Sequence, residues 1–488
     1  MAEKAKVLRA GIGLTVGNYL LKGVVFLTAP IFARLMTTAD YGVYNVFVSY
    51  ESIFFVILGL AIHSSYKNAY YKFRDPNRPE SELGYQKYIS VTICFLFASL
   101  AFWLGAALVF RRPLAGLLGI EQPLLYILVI GSFIDAVTNC YSTDKGIHYQ
   151  YKELLIVSFV GTVLGIALSI LLMKTVCADR MVLGRILGST VPGVCIYLAI
   201  ALSYVFRASP RGMGKALAWG IRYSLPIVPH GISQMILSQF DRIMILRMIG
   251  ESEAGIYSFA YILYSMVAIT ASSVDGVWSP WFYEKREKED RNAIHRGSSL
   301  FILIMLLASV GVVMLCPELI RILGGKKYEA AIACAVPIVC AGFFSGIYNI
   351  PCLVEYYHEK TGLIAVSTAA AAVLNIILNA VFIPRFGYAA ASYTTLFTYM
   401  VYFLAHYLLA KKIEGKSLFP TKLILLSTLL LFAAAAIALA NVGRFGVRFA
   451  FLALSVLMIL FFEERSLHFI HDRMKTRGED TGSKGGRT

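Results

Sequence analysis

The chain has 488 residues, of which 58% are hydrophobic and 15% charged, and it carries a net charge of +16. Soluble domains sit nearer half apolar and a quarter charged, so a surplus of this size over this length excludes a soluble globular protein and points to lipid. Nor does the positive balance indicate nucleic acid. The dense clusters are "YYKFRDPNRPE", "YEKREKEDRNAIHR", "KKIEGK" and the tail from Arg465 on, and all four fall on one side of a membrane under the helix count below. With the amino terminus inside, inner loops and tails hold about 29 Lys and Arg against about 10 outside, the bias of the positive-inside rule.

Apolar runs approaching or exceeding the ~20 residues a spanning helix needs lie near 10–34, 42–65, 87–110, 123–142, 153–174, 182–206, 219–247, 254–282, 298–323, 329–355, 361–383, 387–410, 421–440 and 445–462. They predict an all-α polytopic membrane protein of about fourteen transmembrane helices, with both termini on the cytoplasmic side. The first run is too long for a cleaved secretory signal and has no small-residue cleavage site behind it.

Ionisable groups at membrane depth are costly, so they usually face a cavity or a partner. Helix 1 carries Thr15, Asn18 and Lys22 on one face. Lys22 falls about 18 Å from its inner end and Glu51 of helix 2 about 16 Å from the inner face. At similar depth, the two form either a neutralising pair or a cavity site where Lys22 exchanges Glu51 for an anionic substrate group. Helix 4 presents Ser132, Asp135, Asn139 and Ser142 together.

Helix 7 carries Arg222, Pro226, His230, Gln234, Ser238 and Asp241 in one stripe. Pro226 and Pro229 lack an amide proton and predict a kinked or loosened helix, as a moving, cavity-lining element requires. Asp241 and Arg242 read as a local pair. Helix 8 places Tyr257, Tyr261, Tyr264, Ser272 and Asp275 on one face. Tyr257 reads as a membrane-belt anchor; Tyr261 and Tyr264 lie deeper, as core or as a surface for sugar rings. Helix 10 adds Ser345, Asn349 and Glu355, and helix 12 Tyr399, Tyr402 and His406. Interhelical polar contacts account for most such residues. The eight cysteines are scattered and show no metal spacing. No metal or cofactor is expected.

The chain repeats itself. "RLMTTADYGVY" (34–44) closes helix 1, and "RMIGESEAGIY" (247–257) closes helix 7. Arg34 and Arg247, Asp40 and Glu253, and the two G-x-Y motifs all stand 213 positions apart. "LIVSFVGTVLGIALSILLM" and "LIAVSTAAAAVLNIILNAVFI" correspond at an offset near 210. Six helices is an even number, so the copies are parallel repeats. The predicted organisation is an N-lobe (1–210), a C-lobe (211–412), two added helices (413–462) and a disordered cytoplasmic tail (463–488). Arg34 and Arg247 are expected as snorkelling structural residues with Asp40 or Glu253 in reach, the glycine letting the next helix start close by. Gating at the outer mouth is the alternative role. There is no Walker A motif, H-E-x-x-H or nucleophile elbow, and no loop long enough to hold a soluble catalytic domain; no catalytic residue is predicted.

"APIFARLMTTADYGVYNVF", "RYSLPIVPHGISQMILSQFDRIMILRMIGESEAGIYSFAY" and "LNIILNAVFIPRFGYAAASYTT" resemble the polysaccharide-transporter family. These are the Wzx-type oligosaccharide flippases of the multidrug/oligosaccharidyl-lipid/polysaccharide exporter superfamily. The resemblance covers helices 1–12 and implies a two-lobed, alternating-access flippase in the cytoplasmic membrane. Its cargo would be an oligosaccharide on undecaprenyl pyrophosphate, received by a cationic cavity for which Lys22, Arg222 and His230 match by position. Asn18, Glu51, Gln234, Tyr261 and Tyr264 complete the expected cavity, and Asp135 and Asp241 are candidates for coupling to Na+ or H+. Membrane lipid and polysaccharide-assembly proteins are the further expected partners. The alternatives are a lipid II or related cell-wall precursor flippase, an ion-coupled small-molecule exporter, and a membrane glycosyltransferase or polymerase.

Overall fold

A computed structural model describes residues 23, 28–74, 81–415 and 418–459. Asn18, Lys22 and the tail from 463 lie outside the described residues. The described chain is all helix. We number its spans α1 (28–35), α2 (Thr38–Gly59), α3 (Leu83–Val109), α4 (Gln122–Ile147), α5 (Tyr151–Lys174), α6 (Met181–Arg207), α7 (Gly214–Ser224 and Ile227–Met248), α8 (Glu251–Glu287), α9 (Arg291–Gly324), α10 (Lys326–Tyr357), α11 (Thr361–Phe386), α12 (Ala390–Glu414), α13 (Thr421–Ala440) and α14 (Phe445–Ile459). Among the described residues, ten helices are long and apolar enough to cross a bilayer. The long helices α7 and α12 are not among them, because each carries a polar face.

Several helices overrun their apolar stretches. At about 1.5 Å per residue, the 37-residue α8 is about 55 Å long, against a hydrocarbon core of ~30 Å. α2, expected to run to residue 65, ends at Gly59. Leu60 and Ala61 follow at φ 45° and 49°, in the left-handed region, before a 3₁₀ turn at Ile62–Ser65 and a short helix at Tyr66–Lys72. A further short helix, Arg111–Leu118, joins α3 to α4.

Two apolar cores organise the bundle. One gathers Leu58, Tyr66, Tyr88, Phe133 and Tyr204, with Leu217, Trp219 and Ile221 packed against it. The other runs from Phe32 and Tyr41 through α8, α9, α10 and α12 to Leu431 and Ile459. The first segment of α7 therefore packs on the N-terminal core. Its second segment packs on α2 and α11. α13 and α14 join the C-terminal side, where the buried Arg448 donates to both carboxylate oxygens of Glu318 on α9 and to Met314 O at 2.6 Å.

The repeated motif has a spatial meaning. α2 and α8 cross with Gly42 against Gly255. A Cβ on Gly42 would run into the Glu251 carbonyl, and one on Gly255 into that of Thr38. Beside them the Thr38 and Ser252 hydroxyls lie 2.8 Å apart. The glycines thus serve an approach between the two copies, as small residues do in membranes.

The arginines of the motif also reach across. Arg34 donates to Ile322 O at 2.6 Å, near the end of α9. Arg247 donates to Leu117 O and packs on Gly119, which caps the Arg111–Leu118 helix at φ 61°. Each guanidinium satisfies a helix C-terminus, where carbonyls lack intrahelical partners and the dipole favours a cation. The expected Arg34–Asp40 pairing is corrected: Asp40 accepts from Thr37 Oγ1 at 2.6 Å and Thr37 N at 3.3 Å in a capping box that starts α2. Lys327 adds a third strap, donating to Met36 O at 2.6 Å. These three contacts all join the two halves of the chain at the Arg34 end.

At the opposite end a histidine turn occurs twice. His148 follows α4 and His358 follows α10, and the next residues, Tyr149 and Glu359, both sit at φ 57°. His148 Nε2 contacts Glu82 at 3.1 Å. His358 Nε2 contacts Glu414 at 3.1 Å, and Glu414 is also held by Arg286 and Arg291 at 2.8 and 3.0 Å.

Candidate functional site

The sequence stripe on α7 is broken in space. The helix stops at Ser224 and restarts at Ile227, with Pro226 at the restart and Val228 N bonded back to Leu225 O at 3.2 Å. Pro229 falls in the first turn of the second segment, where its missing amide proton costs least. Arg222 ends up exposed at the close of the first segment, whereas His230 and Gln234 are half-buried on the second. Gln234 faces Tyr348 of α10.

On the N-terminal side, Glu51 is packed against Gly131 of α4. Asp135, one turn further along α4, is the charged group acting on it among the described residues. Asp135 also lines a cavity of about 390 Å3 formed by α1, α4, α5 and α6, with Thr138, Ser158, Thr162, Arg185 and Tyr197 among its walls. Arg185 lies over the Phe32 ring at 3.6 Å and the Tyr44 ring at 4.9 Å and donates to Ser169 Oγ at 2.8 Å. Sequence reasoning missed Arg185. The signal was there, a lone arginine one turn inside an apolar run.

On the C-terminal side, Asp241 is fully buried and saturated. Its carboxylate accepts from Tyr257 Oη at 2.7 Å, Tyr261 Oη at 3.2 Å, Thr395 Oγ1 at 2.7 Å and Asn379 Nδ2 at 2.7 Å. Tyr257, expected as a belt anchor, is therefore an interior ligand of this acid, because the start of α8 is covered by α2. The expected Asp241–Arg242 pair does not form. Consecutive helical residues diverge, and Arg242 instead lies over the Tyr261 ring at 4.1 Å and donates to Gln239 Oε1. Tyr264 contacts Ser345 Oγ at 2.8 Å. The hydroxyls of Tyr261 and Tyr264 are thus both engaged by the protein.

Two pairings were invisible in the sequence. His406 of α12 and Glu355 of α10 are wholly buried and in contact, Nδ1 to Oε1, at 2.6 Å. At the His148 end, a polar cavity of about 300 Å3 is lined by Glu82, Tyr85, Asp144, Lys145, His148 and Arg207. Its hydrogen bond to Asp144, reinforced by the Asp144 and Glu82 charges and opposed by burial, raises His148 from 6.5 to about 9. It is a cation at neutral pH. Two apolar grooves, of about 550 and 540 Å3, open between α8 and α9 at Trp278 and Trp281 and between α11 and α12 at Phe382 and Phe397.

The arrangement has a membrane-transporter fold. Superposition agrees: a solved lipid II flippase MurJ in an inward closed conformation matches with a TM-score of 0.74 over 93% of this chain and 99% of that one, at 15% identity. An inward-facing multidrug resistance MATE family transporter of the MOP superfamily matches with a TM-score of 0.55 over 80% and 98%, at 16% identity. Residues 31–333 match the family model described as polysaccharide biosynthesis protein, and the chain belongs to that family. Among curated relatives, the probable low-salt glycan biosynthesis flippase Agl15 of Haloferax volcanii is 22% identical over 408 residues, covering 82% of this chain and 83% of that one. The Lsg locus putative protein 1 of Haemophilus influenzae is 22% identical over 339 residues, 66% of this chain and 79% of that one.

Proposed function

We propose that the chain moves an undecaprenyl-pyrophosphate-linked oligosaccharide from the inner to the outer leaflet of the cytoplasmic membrane for surface polysaccharide synthesis. It works by alternating access between the lobes 1–210 and 211–412, with both termini cytoplasmic. One observation carries this reading. Within the spanning helices of a flippase-type fold, the guanidinium groups of Arg185 and Arg242 have no carboxylate within 4.0 Å among the described residues, and α7 adds Arg222 and His230. Unpaired cations at membrane depth are costly unless an anion meets them, and a pyrophosphate is such an anion. Lys22, Asn18, Glu51 and Gln234 complete the cavity in this reading, with Tyr261 and Tyr264 as ring surfaces. The apolar grooves suit the isoprenoid chain, and Arg34 and Arg247 hold the outer end shut between cycles. Na+ or H+ couples through Asp135 or Asp241, and assembly proteins take over the delivered cargo.

Complementation tests the reading. The wild-type chain should restore surface glycan in a strain lacking its own flippase. Lys22→Ala and Arg222→Ala, present at normal membrane level, should each lower export at least about tenfold, since each removes one partner of a charge pair. Full export by both variants would remove the cationic cavity. A second reading, a lipid II or related cell-wall precursor flippase, is favoured by the larger TM-score to the lipid II flippase than to the multidrug transporter. Rescue of a lipid II flippase deletion, without rescue of the glycan defect, would decide for it.

A further inference from the structure

We propose that Glu355 and His406 form a proton-binding site that couples proton movement to the transport cycle. It is distinct from both Asp135 and Asp241. The two side chains come from α10 and α12, show no exposed surface and meet at 2.6 Å. Their remaining polar atoms, Glu355 Oε2 and His406 Nε2, are also buried, and neither has a hydrogen-bond partner among the described residues. Buried polar atoms are almost always paired, so two orphans on one ion pair call for a functional reason.

The surroundings fix which protonation states the closed molecule tolerates. The Tyr402 ring stands edge-on to His406 with centroids 4.6 Å apart, and the Tyr348 ring is at 5.8 Å. The other titratable groups nearby are His230 on α7, Asp275 on α8, Cys352 and Tyr356 on α10, and Tyr402 on α12. α11 offers only the Thr368 hydroxyl, bonded to Tyr402 at 2.9 Å. Arg286 and Arg291 are spent on Glu414, two turns further along α12. Counting the ring N–H, Glu355 and His406 hold two protons when the pair is net neutral, whichever atoms carry them. A third proton leaves a net positive charge, and loss of one a net negative charge. Either is costly in a sealed apolar site. Changing the proton count therefore requires the helices around the pair to part, or a compensating charge to arrive. This links protonation to conformation, because each conformation accepts a different number of protons.

Two further histidines extend the path once the helices part. His358, one turn beyond Glu355 on the chain, is half-buried and reaches Glu414 at the His148 end of the bundle. In the other direction His230, half-buried on the jointed helix α7, is close enough for the two imidazoles to act on each other's charge. His230 Nδ1 is itself buried without a partner. A proton entering at His358 passes to Glu355–His406 and leaves by His230. The site binds and releases it without any covalent step.

The proposal rests on the transport reading only for what the proton is coupled to, and two readouts separate them. The first is infrared difference spectroscopy of the purified full-length protein between about pH 5 and about pH 9. A titrating buried carboxyl band should appear, vanish in Glu355→Gln and shift in His406→Asn. Both amides keep the hydrogen bond between the helices, so melting should move by only a few degrees. The second is glycan export in the complemented strain. Glu355→Gln should fall at least about tenfold and lose its dependence on external pH. Export by Glu355→Gln equal to wild type with the same pH dependence overturns the proposal, as does a wild-type spectrum with no titrating carboxyl. The latter decides even if a variant fails to fold. A titrating Glu355 in a protein that moves no lipid-linked glycan would leave the proton site standing and remove the cargo.

Discussion

His148 illustrates how a residue just past a helix end acquires a role its sequence neighbours do not announce. Its ring lies within 3.3 Å of Asp144 and 3.1 Å of Glu82, 66 positions away in the chain. Its pKa is raised in the folded protein, from 6.5 to about 9. The stability it contributes is therefore fully present below about pH 6.5 and is lost as pH rises through about 9. The melting-temperature difference between wild type and His148→Gln should be largest near pH 6 and vanish above about pH 9. A difference that is flat across this range would show that the ring acts by packing alone. At this scale the sequence was least informative. The i,i+4 step from Asp144 to His148 is readable, but Glu82 is not. The same holds for Glu355 and His406, each placed on its helix face without any indication that the faces meet. Tyr257 was misread for a related reason: its depth along α8 suggested a lipid interface, whereas α2 covers that end of the helix.

The elements were more legible than their contacts. A bilayer demands apolar stretches of a minimum length, and that demand marks α3 to α6, α11 and α13 within a few residues. Where helices outrun the membrane, hydropathy alone ended α8 too early and began α9 too late. The motif beginning at Arg34 was readable as a repeat but not as a contact, because nothing in one copy states that it meets the other. Its geometry gives a direct test. In a background freed of the eight native cysteines, Thr38→Cys with Ser252→Cys should cross-link readily, since the native hydroxyls are 2.8 Å apart and a disulfide needs neighbouring Cβ atoms. Oxidation should lock the Arg34 end shut and cut export at least about tenfold, and a reductant should restore it. Unchanged export by the oxidised protein would mean that this end need not part during transport.

For the whole molecule, the decisive feature is that α7 belongs to both cores. Residues 214–224 are packed with the N-terminal core and 227–248 with α2 and α11, so the interruption at Leu225–Pro226 is a covalent joint between the two packings. Pro226 was the visible sign of it, since a proline both removes a helix hydrogen bond and clashes with the preceding turn. Which core each segment joins was not visible. Replacing both prolines, Pro226→Ala with Pro229→Ala, should let the helix run through. The expected result is export slowed several-fold with a melting temperature unchanged or raised. Faster export would mean that the joint is not used for movement. The glycine contact carries a consequence for how such a molecule can arise. Gly42 and Gly255 offer the same surface to each other, which is the isologous contact of a two-fold dimer. A six-helix unit with one glycine at that position carries there a surface complementary to its own copy. Joining two copies into one polypeptide leaves that handshake intact while freeing the halves to diverge. Here Arg185 came to mark one half and the buried Asp241 the other.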